Sequence, residues 1–204
     1  MTLIERISSV ITSIAEDITN NTIMLPRKIG ATQRWYQSGL RHGAEYPYPC
    51  ILSAAPATSG SQYFIPFTAL EDATIIGLET FCTSFQANAT ISLGIYASDS
   101  NNDVADPLFT SAPISCGTTG VKNAPCNVQI KKGKVYWLSS LSIGTPSFHR
   151  YSADTLFAIK GSTLANYAGV IAYYTASNTS MTQSTPTNKL DNYGFMPRVL
   201  FITG

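Results

Sequence analysis

Apolar residues recur along this chain with two different periods, and the change of period divides it. Between Met1 and Asn20, isoleucines stand at Ile4, Ile7, Ile11, Ile14 and Ile18. That alternation of three- and four-residue steps puts all five on the a and d positions of a heptad, and it predicts a short α-helix over residues 1–21. Thr2 fits its N-cap, with Glu5 three residues on completing a capping box. Such a seam is buried either against the helix's own domain or against other copies of the chain. Isoleucine at both a and d favours three strands over two, so the pattern predicts a parallel homotrimeric bundle.

Magnitudes limit what this arm does alone. Burying five isoleucines contributes about 1.5–3 kcal/mol each, while fixing the backbone of the helix costs about 1–2 kcal/mol per residue before its hydrogen bonds are counted. The two sums are comparable, so the seam is expected to set register and to dock, with the rest of the molecule holding three chains together.

Residues 22–61 show no sustained period. They contain Pro26, Pro47, Pro49 and Pro56 and cluster Trp35, Tyr36, Tyr46 and Tyr48 among glycines and polar residues, which reads as an irregular, aromatic-rich connector. Aromatics at this density are costly to leave in water, so Trp35 and Tyr36 are expected to dock on the body or on a neighbouring chain. From Gln62 onward the period is two. Strands are expected at Tyr63–Phe67, where Pro66 belongs at an edge or bulge; at Thr74–Cys82, with Ile76, Leu78 and Cys82 on one face; and at Ala89–Tyr96, with Ile91, Leu93 and Ile95 opposed to Thr90, Ser92 and Gly94. Ala97–Pro107 reads as a loop before Leu108–Thr110, and Lys132–Gly133 as a turn into Val135–Leu138. Further strands are expected at Thr155–Lys160, Gly169–Thr175 and Arg198–Ile202. The fold class is therefore mainly β: an antiparallel, jelly-roll-like β-sandwich over 62–204, preceded by the short N-terminal helix.

Three segments carry a resemblance. Tyr63-x-Ile65-Pro66-Phe67, then Gly94-Ile95-Tyr96-Ala97 before the polar loop Asp99–Pro107, then Gly133-x-x-Tyr136-Trp137-Leu138 resemble a β-sandwich module recurrent in tailed-bacteriophage tail and fibre proteins. Val10-Ile11-x-x-Ile14-Ala15-x-Asp17-Ile18 is similar to the helical segments that precede such modules. Beyond Tyr151 no family pattern continues. The resemblance implies a homotrimeric virion component, assembled in the host cytoplasm, whose arm contacts other virion proteins while the sandwich projects outward.

Charge narrows the partners. Thirteen basic and 12 acidic residues give a net charge of +1, which supplies no basic field for nucleic acid. No apolar run approaches the length that membrane insertion needs, and the interrupted N-terminal pattern does not make a signal peptide. Cys50, Cys82, Cys116 and Cys126 lack zinc-site spacing and read as buried or loop thiols, although Cys116 and Cys126 bracket a Gly-Thr-Thr-Gly hairpin-like loop that a disulfide could close.

Catalytic chemistry finds little footing. His42 and His149 stand outside any hydrolase motif, and the carboxylates Glu71, Asp72, Glu79, Asp99 and Asp103 are not singled out as a pair. Asp99-x-Asn101-x-Asp103 has the spacing of a calcium loop, but Val104 and Thr110 stand where glycine and glutamate are needed. No cofactor or metal is expected, and the chain reads as non-enzymatic. Tyr174, Tyr193 and Phe195, set among Asn, Ser and Thr, are the candidates for stacking on a host-surface glycan, with ordinary strand alternation as the competing reading. The leading function is a trimeric tail-fibre or tail-tip protein; the alternatives are a purely structural head fibre or capsid decoration and, less favoured, a capsule-degrading tailspike. If the seam trimerises, multi-angle light scattering of the full chain gives three times the chain mass, and Ile11→Asp lowers that mass while leaving the β circular-dichroism spectrum intact.

Overall fold

The computed structural model describes residues 36, 38–43, 53–150, 172–175, 177–181, 188–190 and 196–204. Ile4, Ile7, Ile11, Ile14, Ile18, Trp35, Tyr193 and Phe195 lie outside them, as does the strand expected at Thr155–Lys160; of Tyr174 only the backbone is described. Among the described residues no helix is long and apolar enough to cross a membrane.

Period-two alternation builds antiparallel strands: β1 (Arg41–Gly43), β2 (Ser53–Pro56), β3 (Gln62–Thr68), β4 (Ala73–Ser84), β5 (Thr90–Ser98), β6 (Val104–Thr110), β7 (Ile114–Ser115), β8 (Gly120–Ile130), β9 (Val135–Ile143), β10 (Ser147–Arg150), β11 (Ala172–Thr175), β12 (Asn188–Leu190) and β13 (Leu200–Thr203). They form two sheets. The first runs β1-β13-β4-β10-β2, with β8 also on β4, and the second runs β12-β11-β3-β9-β5-β6, with β7 also on β5. Most chain connections cross between the sheets, as in a sandwich.

β4 organises the first sheet. One of its edges carries β8 from Ala73↔Ile130 to Cys82↔Gly120. The other is shared end to end by β13, from Thr203↔Ile75 to Leu200↔Glu79, and β10, at Phe148↔Cys82 and Ser147↔Ser84. An Arg150↔Pro197 bridge links those two neighbours. Against β13 the register skips Ile76, so β4 has one extra residue there and its alternation slips by one; against β8 the same point has the extra residue on β8, between Pro125 and Val128. Ile75 and Leu78, three residues apart, are both fully buried, while Ile76 is 44% exposed. This corrects the expected face of Ile76: a bulge before Gly77 turns it outward, which plain alternation does not anticipate.

The core lies between the sheets. Ile75, Leu78, Cys82, Ala124, Val128, Ile130, Phe148 and Phe201 from the first sheet meet Phe67, Ile91, Leu93, Ile95, Tyr136 and Leu138 from the second. Phe67 stacks on Phe201 at 4.9 Å between ring centroids. The second sheet is buried on its other face as well, where Phe64, Tyr96, Val104 and Trp137 cluster with Met181. Polar groups in that layer are paired: the Gln62 side-chain amide donates to Tyr96 Oη and Ser139 Oγ, both at 3.0 Å, and Trp137 Nε1 donates to Ser98 Oγ at 2.9 Å. Burial on both faces explains why Tyr136–Leu138 reads as a continuous apolar run.

Several expectations change. The irregular connector contributes two strands to the first sheet; β1 and β2, at three and four residues, are too short to show a period. Tyr36 docks on the body as expected, buried edge-on against Phe201 at 5.3 Å, with its hydroxyl accepting from the Leu70 N–H and its own N–H donating to Glu71 Oε1. The loop after β5 is shorter than read, because Val104–Pro107 already belongs to β6; it is closed by Asp99 Oδ1, which accepts from the N–H groups of Asn101 and Asp103 at 2.8 Å. The expected edge role of Pro66 fits, since β11 pairs with β3 only at Gln62–Phe64. The Gly-Thr-Thr-Gly segment is no hairpin: β7 belongs to the second sheet and β8 to the first, so the segment crosses between sheets, with Cys116 just before it and Cys126 within β8, and both are free thiols.

Gly94 marks the tightest part of the second layer. A Cβ there would stand 2.8 Å from Met181 Cε and 3.1 Å from both the Phe109 carbonyl oxygen and Tyr96 Cε2. Gly94→Ala should therefore destabilise the chain by about 1–3 kcal/mol, read as a lower urea midpoint at unchanged m-value.

Candidate functional site

The slip at Ile76 decides what the outer face of the first sheet presents. Once Leu78 and Cys82 point inward, Glu79 and Phe81 point outward from β4. Phe81 stands beside Val121 of β8 and is stacked on His149 of β10, with ring centroids 4.7 Å apart and planes 14° from parallel. Phe81 is 40% and Val121 51% exposed. Together with Arg41, Thr80, Arg198 and Leu200, these residues line a groove of about 150 Å³.

The electrostatics of the groove centre on Glu79, whose carboxylate is nearly buried while the Arg41 side chain is about half exposed. Arg41 comes from β1, which lies beyond β13, and reaches across to hold Glu79 with two donors: Nε on Oε2, and Nη2 on Oε1 at 3.3 Å. This two-pronged grip raises the guanidinium pKa, chiefly through the hydrogen bonds to Glu79. An arginine suits the position because its planar fork matches both carboxylate oxygens, which a lysine's single ammonium does not. The groove thus has an apolar floor, an ion pair at one side, and an imidazole and a second guanidinium on its rim.

The other candidates are dispersed. Asp72 accepts from the Lys132 N–H at 2.8 Å and from Lys131 Nζ at 3.0 Å, and these bonds, the backbone one foremost, hold its carboxyl below the usual range. It clamps the β8–β9 turn, an arrangement complete above the ordinary aspartate pKa and lost as pH falls through the lowered one. Glu71 anchors the Tyr36 N–H and Asp99 its own turn. His42 lies 5.0 Å from the Tyr36 ring and 5.6 Å from Phe201. Of the titratable residues considered from sequence, the fold brings Glu79 and His149 to one site; Arg41, Phe81, Val121 and Arg198 join them without having been anticipated. Their signal was available only through the bulge and through β8, whose inward positions Lys122, Ala124, Cys126, Val128 and Ile130 begin with a charge and continue with two small side chains.

No family model matches the chain, and no curated protein matches it. Among solved structures, it is similar to a chain in the structure of the infectious bursal disease virus Gx strain, with a TM-score of 0.32 and 12% identity over 80% of this chain and 40% of that one. This chain therefore spans about two-fifths of the length of that relative.

Arg41→Gln leaves the buried Glu79 carboxylate without its charged partner. The variant should unfold at lower urea concentration than the parent, followed by tryptophan fluorescence, and adding Glu79→Gln should recover part of the loss.

Proposed function

We propose that this chain is a non-enzymatic component of a bacteriophage virion: a trimeric tail-fibre or tail-tip protein, held to other virion proteins by its N-terminal helix, whose sandwich offers the outer face of the first sheet to a host-surface glycan. The groove around Phe81 carries this reading. An exposed aromatic ring beside Val121 and Leu200, rimmed by Arg41, Glu79, His149 and Arg198, matches what a sugar ring offers, apolar C–H faces edged by hydroxyls. Its size points the same way. At about 150 Å³ it falls below the roughly 300–1,000 Å³ that encloses a drug-sized ligand, so it suits one ring of a larger molecule approached from outside.

The polar, weakly charged composition and the resemblance in Tyr63–Phe67, Gly94–Ala97 and Gly133–Leu138 favour the virion setting. The isoleucine spacing favours three copies, which would convert weak single-site binding into avid attachment. Binding to immobilised bacterial envelope polysaccharides should be saturable, and Phe81→Ala should weaken it at least tenfold with the β circular-dichroism spectrum unchanged. No saturable binding across such a panel would remove the receptor role and leave the head-fibre or capsid-decoration reading. Release of reducing ends from capsular polysaccharide would instead make the protein a tailspike.

A further inference from the structure

The groove opens at one end of the sandwich onto five loops. Three of its strands run straight into them: β4 into residues 85–89, and β8 and β10 out of residues 116–119 and 144–146. Residues 57–61 before β3 and residues 177–179 complete the set. Hydrogen bonds fasten each loop to the next. The Asn178 N–H donates to the Gly60 carbonyl at 2.9 Å and the Gly144 N–H to Ser59 Oγ at 2.8 Å; Gln86 Oε1 accepts from the Thr145 N–H, and the Gln86 N–H donates to the Cys116 carbonyl at 3.1 Å. A surface held in this way loses little conformational freedom on binding. None of the residues in these loops is charged, although a protein surface of ordinary composition is about 25–35% charged. The charges stand at the other end, where Glu71, Asp72, Asp99, Asp103, Lys131 and Lys132 occupy the turns after β3, β5 and β8. At the uncharged end Phe85 is 62% exposed, among the exposed amides and hydroxyls of Gln86, Asn88, Thr118, Thr119 and Thr145.

We propose that the groove is the first subsite of an extended binding surface, on which an uncharged polysaccharide chain lies with one ring against Phe81 and its continuing units across Phe85 and the uncharged loops. This rests on the glycan reading of the groove, and it adds the length and charge class of the ligand. Reach permits it: Phe85 follows Phe81 by four residues, at most about 13–14 Å along an extended chain, a distance that linked sugars bridge and one sugar ring does not. Chemistry selects the ligand. Amide side chains donate and accept, and hydroxyl side chains do the same, as sugar hydroxyls do in return, while Phe85 supplies an apolar face for sugar C–H groups. A polyanionic chain meets no cation in the loops, and the Arg41 guanidinium is already engaged by Glu79.

The test measures binding of the full chain to bacterial envelope polysaccharides of two classes, those built of neutral hexoses and those containing uronic acids, and then to fragments of graded length, down to the monosaccharide, cut from the tightest binder. The neutral class should bind more tightly, and affinity should rise about tenfold or more from the monosaccharide to the longer fragments. Phe85→Ala should remove that gain with length while the β circular-dichroism spectrum stays unchanged, and Leu108→Ser, at an exposed position on β6, should bind as the parent does. Raising salt from about 0.01 M to about 1 M, which shortens the screening length about tenfold, should change the affinity less than about twofold. Equal affinity for short and long fragments, or a gain with length that survives Phe85→Ala, overturns the extended surface and leaves the groove reading standing. Preference for the uronic-acid class, with affinity that falls as salt rises, overturns the uncharged ligand. Absence of saturable binding to either class overturns the groove reading and this proposal together.

Discussion

The backbone ladder along both edges of β4 is the constraint on which the rest of the sandwich depends. Its twelve residues are held on one side by β8 alone and on the other by β13 and β10 laid end to end. Because every one of those neighbours arrives from a different part of the chain, β4 fixes where β1, β2 and the C-terminal strand can lie. It supplies both surfaces of the first sheet, Ile75, Leu78 and Cys82 to the core and Glu79 and Phe81 to solvent.

One extra residue couples those surfaces. Without the slip at Ile76, a strand keeping Leu78 inside would turn Ile76 inside and Ile75 out, shifting the inward isoleucine by one position along the strand. With it, Ile75 and Leu78 both face the second sheet. Packing and presentation on this strand are therefore one decision of register.

Much of the architecture was legible because period two is a local signal. β3, β5, β9 and β13 fall where alternating or continuous apolar runs place them, and Lys132–Gly133 turns as its residues demand, with Gly133 at φ 77°. What escaped were features set by neighbours distant in sequence. β1 and β2 exist because β13 and β10 pair with them, not because Arg-His-Gly or Ser-Ala-Ala-Pro prefers to be extended. β8 opens its inward face with the charged Lys122 and carries Pro125 in mid-strand, and the crossing of Gly117–Thr119 between sheets looks in sequence like a tight hairpin. The candidate groove shares this fate: Glu79 and His149 were visible as residue types, but their meeting with Arg41 and Phe81 depends on four strands converging.

The pairing of β13 with β4 also bears on how the molecule comes to be folded. Leu200 must find Glu79, and Phe201 must find Leu78, across most of the chain, and folds dominated by such distant pairings close slowly, typically over milliseconds to seconds. During synthesis β4 and β8 are complete long before β13 exists, so half of the central strand spends that interval with an unsatisfied edge. An open edge of that kind pairs readily with the same strand of another chain. The order of events then matters: each chain must close its own first sheet before another chain comes within reach, or intermolecular strands will take the place of β13.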